Sequence, residues 1–504
     1  MTGADAAAPI RDLVIVGGGT AGWMMAAAAG RFLNDGRRRI TLIESEAIGT
    51  VGVGEATIPP IRDFNARLGI AEADFVAATG ATMKLGIEFR GWGGVADRYI
   101  HPFGEQGRPF GGVDFHMAWL KHRAADGIGG IEEYWMAAVA ARAGRFAAPV
   151  ADPRSTLSQI AYAYHFDAGL YAAFLRRIAE GDGVRRIEGR IDRVERDGAT
   201  GHVAAVHLDG ERRIAGELFV DCSGFRSLLL GEAMGVEFRD WRHWLPCDRA
   251  LAVPTARVDP LLPLTRAIAH DAGWQWRIPL QHRTGNGLVY ASDHLSQDAA
   301  VAQLMAGLDA PATDDPRPLS FRTGRRERLW EGNVVALGLA GGFLEPLEST
   351  SIHLIQSGIQ KLFALFPDTG FAPVHAREYN RLMAAQYDAV RDFVILHYHA
   401  NGRRGEPFWD ALRATPPPDS LAEKVELFRE KGRVFRYDDD LFSTASWVAV
   451  LIGQGVVPRG HDPLVDAFDD ERVRTAMRDL KRSYARAAAA MPHHADYLAG
   501  LMRT

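Results

Sequence analysis

A glycine-rich turn set between an apolar run and an alanine-rich run constrains this chain more than any other feature. Asp12-Leu13-Val14-Ile15-Val16 has the composition of a short buried strand, and it leads directly into Gly17-Gly18-Gly19-Thr20-Ala21-Gly22, a G-x-G-x-x-G string. Residues 23–32 are rich in alanine and favour a helix. Ile40-Thr41-Leu42-Ile43 then reads as a second strand and ends in Glu44. Strand, turn, helix, strand and acid at this spacing predict a dinucleotide-binding unit. Gly17 makes the tight turn, and Gly19 admits a pyrophosphate to the backbone at a helix N-terminus. Gly22 lets helix and strand pack closely, and Glu44 is placed for ribose hydroxyls. Thr20 and Ala21 at the helix start complete the cofactor-binding set, and the fold class is α/β.

The composition removes other classes. The chain has 504 residues, 47% hydrophobic and 24% charged, with a net charge of −5. These values are ordinary for a globular enzyme and offer no basic surface for nucleic acid. No apolar run is long enough for a membrane span. Residues 1–9 lack a basic segment followed by an apolar one, so a short tail is expected there and not a signal peptide. Two cysteines, Cys222 and Cys247, have no metal-ligand spacing and suggest a reduced, cytoplasmic protein.

Further segments have a structural and a functional reading. Gly52-Val53-Gly54-Glu55-Ala56-Thr57-Ile58-Pro59 reads as a glycine-rich turn before a helix. Arg186 through Val194, Glu217 through Asp221 and Asn333 through Leu337 read as strands, the last two running into small-residue turns. From Met83 to Arg90 apolar and polar residues alternate, which predicts a half-buried strand with Lys84, Gly86, Glu88 and Arg90 on its polar face. Gly86 would leave open space beside the Lys84 ammonium. Spacing alone favours a solvated lysine paired with Glu88. Glu348-Ser349-Thr350-Ser351 precedes an amphipathic helix marked by Ile352, Ile355, Ile359 and Leu362. Ser349 or Thr350 is a natural N-cap, and such a helix start is also a ready anion site. Trp274, Trp276 and Ile278 alternate along an apparent core strand that ends at Pro279.

Taken together, Lys84-Leu85-Gly86-Ile87, the Trp-x-Trp-x-Ile-Pro run at 274–279, the 52–59 string and Glu345-Pro346-Leu347-Glu348-Ser349-Thr350 resemble the flavin-dependent tryptophan halogenases, over most of the chain. The resemblance implies an FAD-binding fold of the two-dinucleotide type at 1–370, with inserted substrate-site segments, and a mostly helical C-terminal part at 371–504. It implies FAD, used as FADH2 with oxygen to convert chloride or bromide to hypohalous acid that a lysine delivers to an aromatic ring. It makes Lys84 and Glu348 the catalytic pair. It brings Leu339, Gly341 and Ile352 to the flavin and makes Thr350 and Ser351 the halide site, although the tryptophan enzymes often carry glycine where this chain has Ser351. The tryptophans of the 274–279 run become wall residues between flavin and substrate. A separate flavin reductase is the implied partner, and a homodimer follows by analogy.

Substrate contacts are expected from His101, Phe103 and Trp447, with the glycine- and proline-rich stretch 103–112 a mobile loop beside the site. Family members acting on free tryptophan use adjacent tyrosines to hold it, and the stretch 440–455 contains no such pair. The expected substrate is therefore indole or a larger indole-type ring, with free tryptophan doubtful. His397-Tyr398-His399 lacks further clustered ligands, and no metal site is expected. The competing reading is a flavin monooxygenase or dehydrogenase, against which Lys84, Glu348 and the tryptophan run argue.

Overall fold

A computed structural model of the chain describes residues 7–48, 54–94, 96–437 and 440–503. Gly52 and Val53, together with residues 1–6 of the expected tail, lie outside these. The fingerprint strand Asp12–Val16 is central to a six-stranded sheet. It pairs in parallel with Arg39–Glu44 on one side and Leu218–Asp221 on the other. Arg185–Glu188 extends one edge and Val334–Ala336 the other, both in parallel, and an antiparallel Trp330–Glu331 closes the second edge. Parallel strands need helical crossovers that cover the sheet. The helix Thr20–Leu33 supplies one, burying the run from Gly22 to Gly30. Gly22 and the alanines 26–29 let it pack closely, while Trp23, Met24 and Met25 fill the space beside them.

A second sheet has seven strands, in the order Arg317–Ser320, Arg249–Ala256, Arg283–Tyr290, Gly273–Pro279, Leu264–His270, Gly86–Arg90, Arg98–Pro102. All neighbours are antiparallel except Leu264–His270 with Gly86–Arg90. A third, of three strands, sets Ala163–Asp167 between Gly54–Ala56 and Thr82–Lys84.

The expected half-buried strand from Met83 to Arg90 is therefore two strands. Thr82–Lys84 belongs to the small sheet, Leu85 crosses over, and Gly86–Arg90 joins the large one. Both faces are covered, and only Arg90 is partly exposed. Binary patterning reads charge as solvent-facing, and here the charge is buried by design of the site. The space expected at Gly86 is also absent, because a Cβ there would collide with the His101 carbonyl. The segment from Arg186 to Val194 is likewise not one strand. It breaks at Gly189 (φ +158°), and Ile191–Arg196 turns into a separate antiparallel sheet.

From Pro373 the chain is helical, beginning with the 27-residue helix Pro373–His399 and including Thr444–Gly453 and His494–Leu501. One continuous apolar core runs from Leu13 and Ile87 through Phe393 and Trp447 to Leu498. Among the described residues no helix is long and apolar enough to cross a membrane.

Candidate active site

A cavity of about 790 Å³ opens at the C-terminal end of the fingerprint strand, where ligands of open α/β sheets bind. Gly17, Gly19, Thr20, Ala21 and Glu44 line one end. Gly17 has φ +109°, and a side chain there would strike the Cys222 carbonyl. A Cβ on Gly19 would meet nothing within 4 Å, so that backbone is open to an approaching group. Gly22 is not among the lining residues; its missing side chain lets the helix rest on the Gly17 carbonyl. Glu44 accepts from Trp23 Nε1 at 3.3 Å and from Arg186 Nε. Glu55, also in the lining, is pushed up to about 7 by burial.

The far end is walled by Trp276, Ile278, Leu339, Ser349, Ser351 and Ile352. Two of the expected contacts are not in this lining. Gly341 is outside the lining, donating to the Gly338 carbonyl at 3.0 Å, and the glycines of this segment that do line the cavity are Gly338 and Gly342. Thr350 stands at the N-cap position of the helix Ser351–Ala364, but its side chain makes no capping bond and is not in the lining. Ser349, left-handed at φ +60°, turns the chain into the helix, whose first-turn amides have no side-chain cap from Thr350.

Lys84 lies behind this wall, fully buried. Its Nζ donates to the Thr57 carbonyl at 2.9 Å and to Ser349 Oγ at 2.8 Å. Burial lowers its pKa to about 7, against the pull of the Glu348 carboxylate. Glu348 is buried too. Its Oε2 lies 2.8 Å from His101 Nδ1, and its Oε1 lies 2.6 Å from His397 Nε2. Burial would raise its pKa, but the two imidazoles prevail and hold it at about 2. His397 is kept below its ordinary value by burial. Its Nδ1 meets the Tyr99 hydroxyl at 2.9 Å. The Lys84–Glu88 pair does not form; Glu88 binds Arg90 at 2.7 Å and Arg266 at 3.4 Å.

Phe103 is buried with its ring centre 5.1 Å from Lys84 Nζ. The stretch after it is pinned at Gly104, which leaves no room for a side chain against the Gln159 carbonyl, and at Gly107, whose carbonyl accepts from Gln159 Nε2. Beyond His101 lies an aromatic group. Phe393 stacks on Phe442 at 3.7 Å and meets Trp447 edge-on at 4.9 Å. Trp447 is buried, with Lys424 Nζ 5.2 Å from its ring. Of the three expected substrate contacts, His101 meets Glu348 and Phe103 meets Lys84, while Trp447 stands further out, against Phe393.

Sequence reasoning missed several members of this site. Phe393 and His397 are four apart on one helix, a spacing that puts them on one face. That period is the available signal; His397-Tyr398-His399 was weighed as a metal motif and set aside, with no catalytic partner sought for it. Among the described residues no group of three or more His, Cys, Asp or Glu could hold a metal ion. Tyr99 is two residues from His101 on the same strand. Glu345 was quoted without a role. Its Oε2 accepts from Trp274 Nε1 at 3.1 Å and from Tyr398 Oη at 2.9 Å, and burial raises it to about 7 despite those bonds.

The family model for tryptophan halogenases matches residues 12–470. Tryptophan 6-halogenase SttH of Streptomyces toxytricini is 36% identical, with 93% of this chain and 95% of that protein covered. Tryptophan 7-halogenase RebH of Lentzea aerocolonigenes is 35% identical, covering 90% and 91%. Among solved structures, the flavin-dependent halogenase BrvH of Brevundimonas sp. BAL3 superposes with a TM-score of 0.94 at 47% identity, covering 98% of this chain and 99% of that one.

Proposed function

The chain belongs to the tryptophan halogenase family and is a flavin-dependent enzyme, and from that premise we propose that it brominates or chlorinates an indole-type ring at Lys84. The observation that carries this reading is the position of the lysine. It is one hydrogen bond from Ser349, which walls the flavin cavity, and 5.1 Å from the Phe103 ring on the other side.

The cavity suits FAD, with an open glycine backbone and helix N-terminus for the pyrophosphate, Glu44 for a ribose, and Trp276, Ile278 and Ile352 in the wall at the far end. When bound, reduced FAD supplies the chemistry that turns oxygen and a halide ion into hypohalous acid. Trp276 and Ile278 keep the arene away from that chemistry. The helix start at Ser351 offers amides and a favourable dipole to chloride or bromide. Lys84 receives the oxidant on the nitrogen position that Thr57 and Ser349 leave free. Glu348 orients the acceptor ring and takes the proton lost after halogen transfer. Its low pKa suits this task, because a cationic, dearomatised ring is itself a strong acid.

His101, Phe103 and Trp447 hold the substrate. Residues 440–455 carry no adjacent tyrosines for an amino-acid head group, which favours indole or a larger indole-bearing molecule over free tryptophan. A separate flavin reductase supplies reduced FAD.

The test is mass spectrometry of products formed with FAD, a flavin reductase, NADH, oxygen and bromide or chloride. A halogen isotope pattern on indole, weak or absent on tryptophan, and lost in Lys84→Ala, is the expected result. Full halogenation by Lys84→Ala would refute the assignment, and hydroxylated product independent of halide would make the protein a monooxygenase.

A further inference from the structure

Glu345 is an acid that packing does not explain. It is fully buried, no cation pairs with it among the described residues, and its Oε1 has no hydrogen-bond partner. An amide of the same shape would accept the same two bonds without the cost of burying an acid. What sets Glu345 apart is which protons it faces. Its Oε2 accepts from Trp274 Nε1 at 3.1 Å and from Tyr398 Oη at 2.9 Å. Indole and phenol are the side-chain rings most readily oxidised by one electron, and the N–H or O–H proton becomes strongly acidic when that electron leaves.

These rings extend inward from the flavin cavity. Trp276 lines that cavity. Trp274 lies two residues away on the same face of the strand Gly273–Pro279, with the ring centres 6.2 Å apart. Trp274 and Tyr398, the latter on the helix Pro373–His399, meet at one oxygen of Glu345. Other indoles surround Tyr398: Trp92 at 5.4 Å and Trp409 at 5.7 Å. Their N–H groups donate to the Ala267 and His270 carbonyls, at 3.1 and 2.7 Å. A peptide carbonyl is too weak a base to take the proton, so an oxidised ring at either place stays cationic and passes its hole back. Tyr398 is the ring at which a hole can be trapped.

We propose that Trp276, Trp274 and Tyr398 form an electron relay that draws one-electron holes out of the flavin cavity, with Glu345 as the proton acceptor at its end. Trp276 gives an electron to a one-electron oxidant in the cavity, an oxygen-derived radical or a photoexcited flavin. Trp274 refills Trp276, and Tyr398 refills Trp274. As its electron leaves, the Tyr398 O–H bond breaks, the proton passes to Glu345 Oε2, and a neutral phenoxyl radical remains. The oxidant is reduced by one electron and Tyr398 is oxidised by one; return of electron and proton restores the resting site. The relay goes beyond the halogenase reading and needs only a flavin in the cavity.

The experiment is a blue-light flash on the holoenzyme carrying oxidised FAD, freed of unbound FAD by gel filtration, with transient absorption as the readout. The wild type is expected to yield a long-lived neutral tyrosyl radical. Tyr398→Phe should lose that signal and leave a short-lived tryptophan radical, and Trp276→Phe should lose both. Glu345→Gln, which keeps both hydrogen bonds but cannot take the proton, should also lose the tyrosyl signal. No tyrosyl radical in the wild type, or one that survives in Tyr398→Phe or in Glu345→Gln, overturns the proposal. Should the variants not fold, the wild type decides alone. The acceptor is the ionised carboxylate, and burial raises that acid to about 7. Tyr398 and Cys247, the titratable groups facing it, are pushed up by burial and stay uncharged. The tyrosyl yield should therefore rise with pH through about 7, and a flat yield overturns the role of Glu345. Failure to halogenate any arene would refute the halogenase reading and leave these signals unchanged.

Discussion

A buried lysine with two neutral acceptors and no contacting carboxylate is expensive to keep charged, and Lys84 is pulled down to about 7 for that reason. If the free amine is the form that takes up halogen, kcat for halogenation should rise with pH through about 7. A profile that falls there would assign the ammonium instead. The same depression has a signed effect on folding. Between about 7 and the ordinary lysine value of 10.5 the unfolded chain binds the extra proton, so this lysine's contribution to stability improves as pH rises across that window. Denaturant unfolding of the wild type and of Lys84→Met at pH 7 and pH 10 should show the wild type gaining relative to the variant at the higher pH. Glu345 gives the complementary case. One of its oxygens accepts two bonds, the other is buried without a partner, and burial favours the neutral acid. Glu345→Gln preserves that shape and should leave the unfolding temperature nearly unchanged. Glu345→Ala strands Trp274 Nε1 and Tyr398 Oη and should cost about 2–4 kcal/mol in unfolding free energy.

At the scale of elements, the fingerprint glycines separate folding from cofactor binding. Gly17→Ala puts a methyl into the Cys222 carbonyl at a left-handed backbone position and should lower the melting temperature of the flavin-free protein. Gly19→Ala meets only open space; it should melt like the wild type while binding FAD at least about tenfold more weakly by fluorescence titration. These elements were legible in the sequence because each is local. The strand Asp12–Val16 and the acid at Glu44 follow from composition and spacing within about thirty residues. The strand with Lys84 was less so. Its alternation is genuine, but the residues that cover its polar face come from Thr57, Ser349 and beyond, and no local pattern reports them. The Glu348–His397 contact joins residues 49 apart, and the His101–Glu348 contact residues 247 apart. The family motifs named Lys84, Glu348 and His101 singly; only the fold shows that one carboxylate ties two histidines together.

Across the whole molecule, the large cavity ends at a wall that includes Trp276 and Ser349, and Lys84 with the buried aromatic residues Phe103, Phe393 and Trp447 is outside its lining. Trp276→Ala should breach that wall. The measurement is the share of oxidant captured by a soluble scavenger during turnover, which should rise as the share reaching indole falls. Enlarging the scavenger should restore the wild-type partition, since only small molecules would pass the breach. The wall has a further consequence for how long one molecule works. Cys222 lines the cavity in which oxidant is made, and its carbonyl packs beneath Gly17. Burial, with the neighbouring Asp221 charge, raises its thiol well above the usual range, so it is held as the less reactive, protonated form. Even so it is the one sulfur-bearing side chain among the residues that line this cavity, and each missed transfer is a chance to oxidise it irreversibly. Service life, counted as total turnovers before death, is then set by the fidelity of delivery to Lys84, and a faithful enzyme is also a durable one.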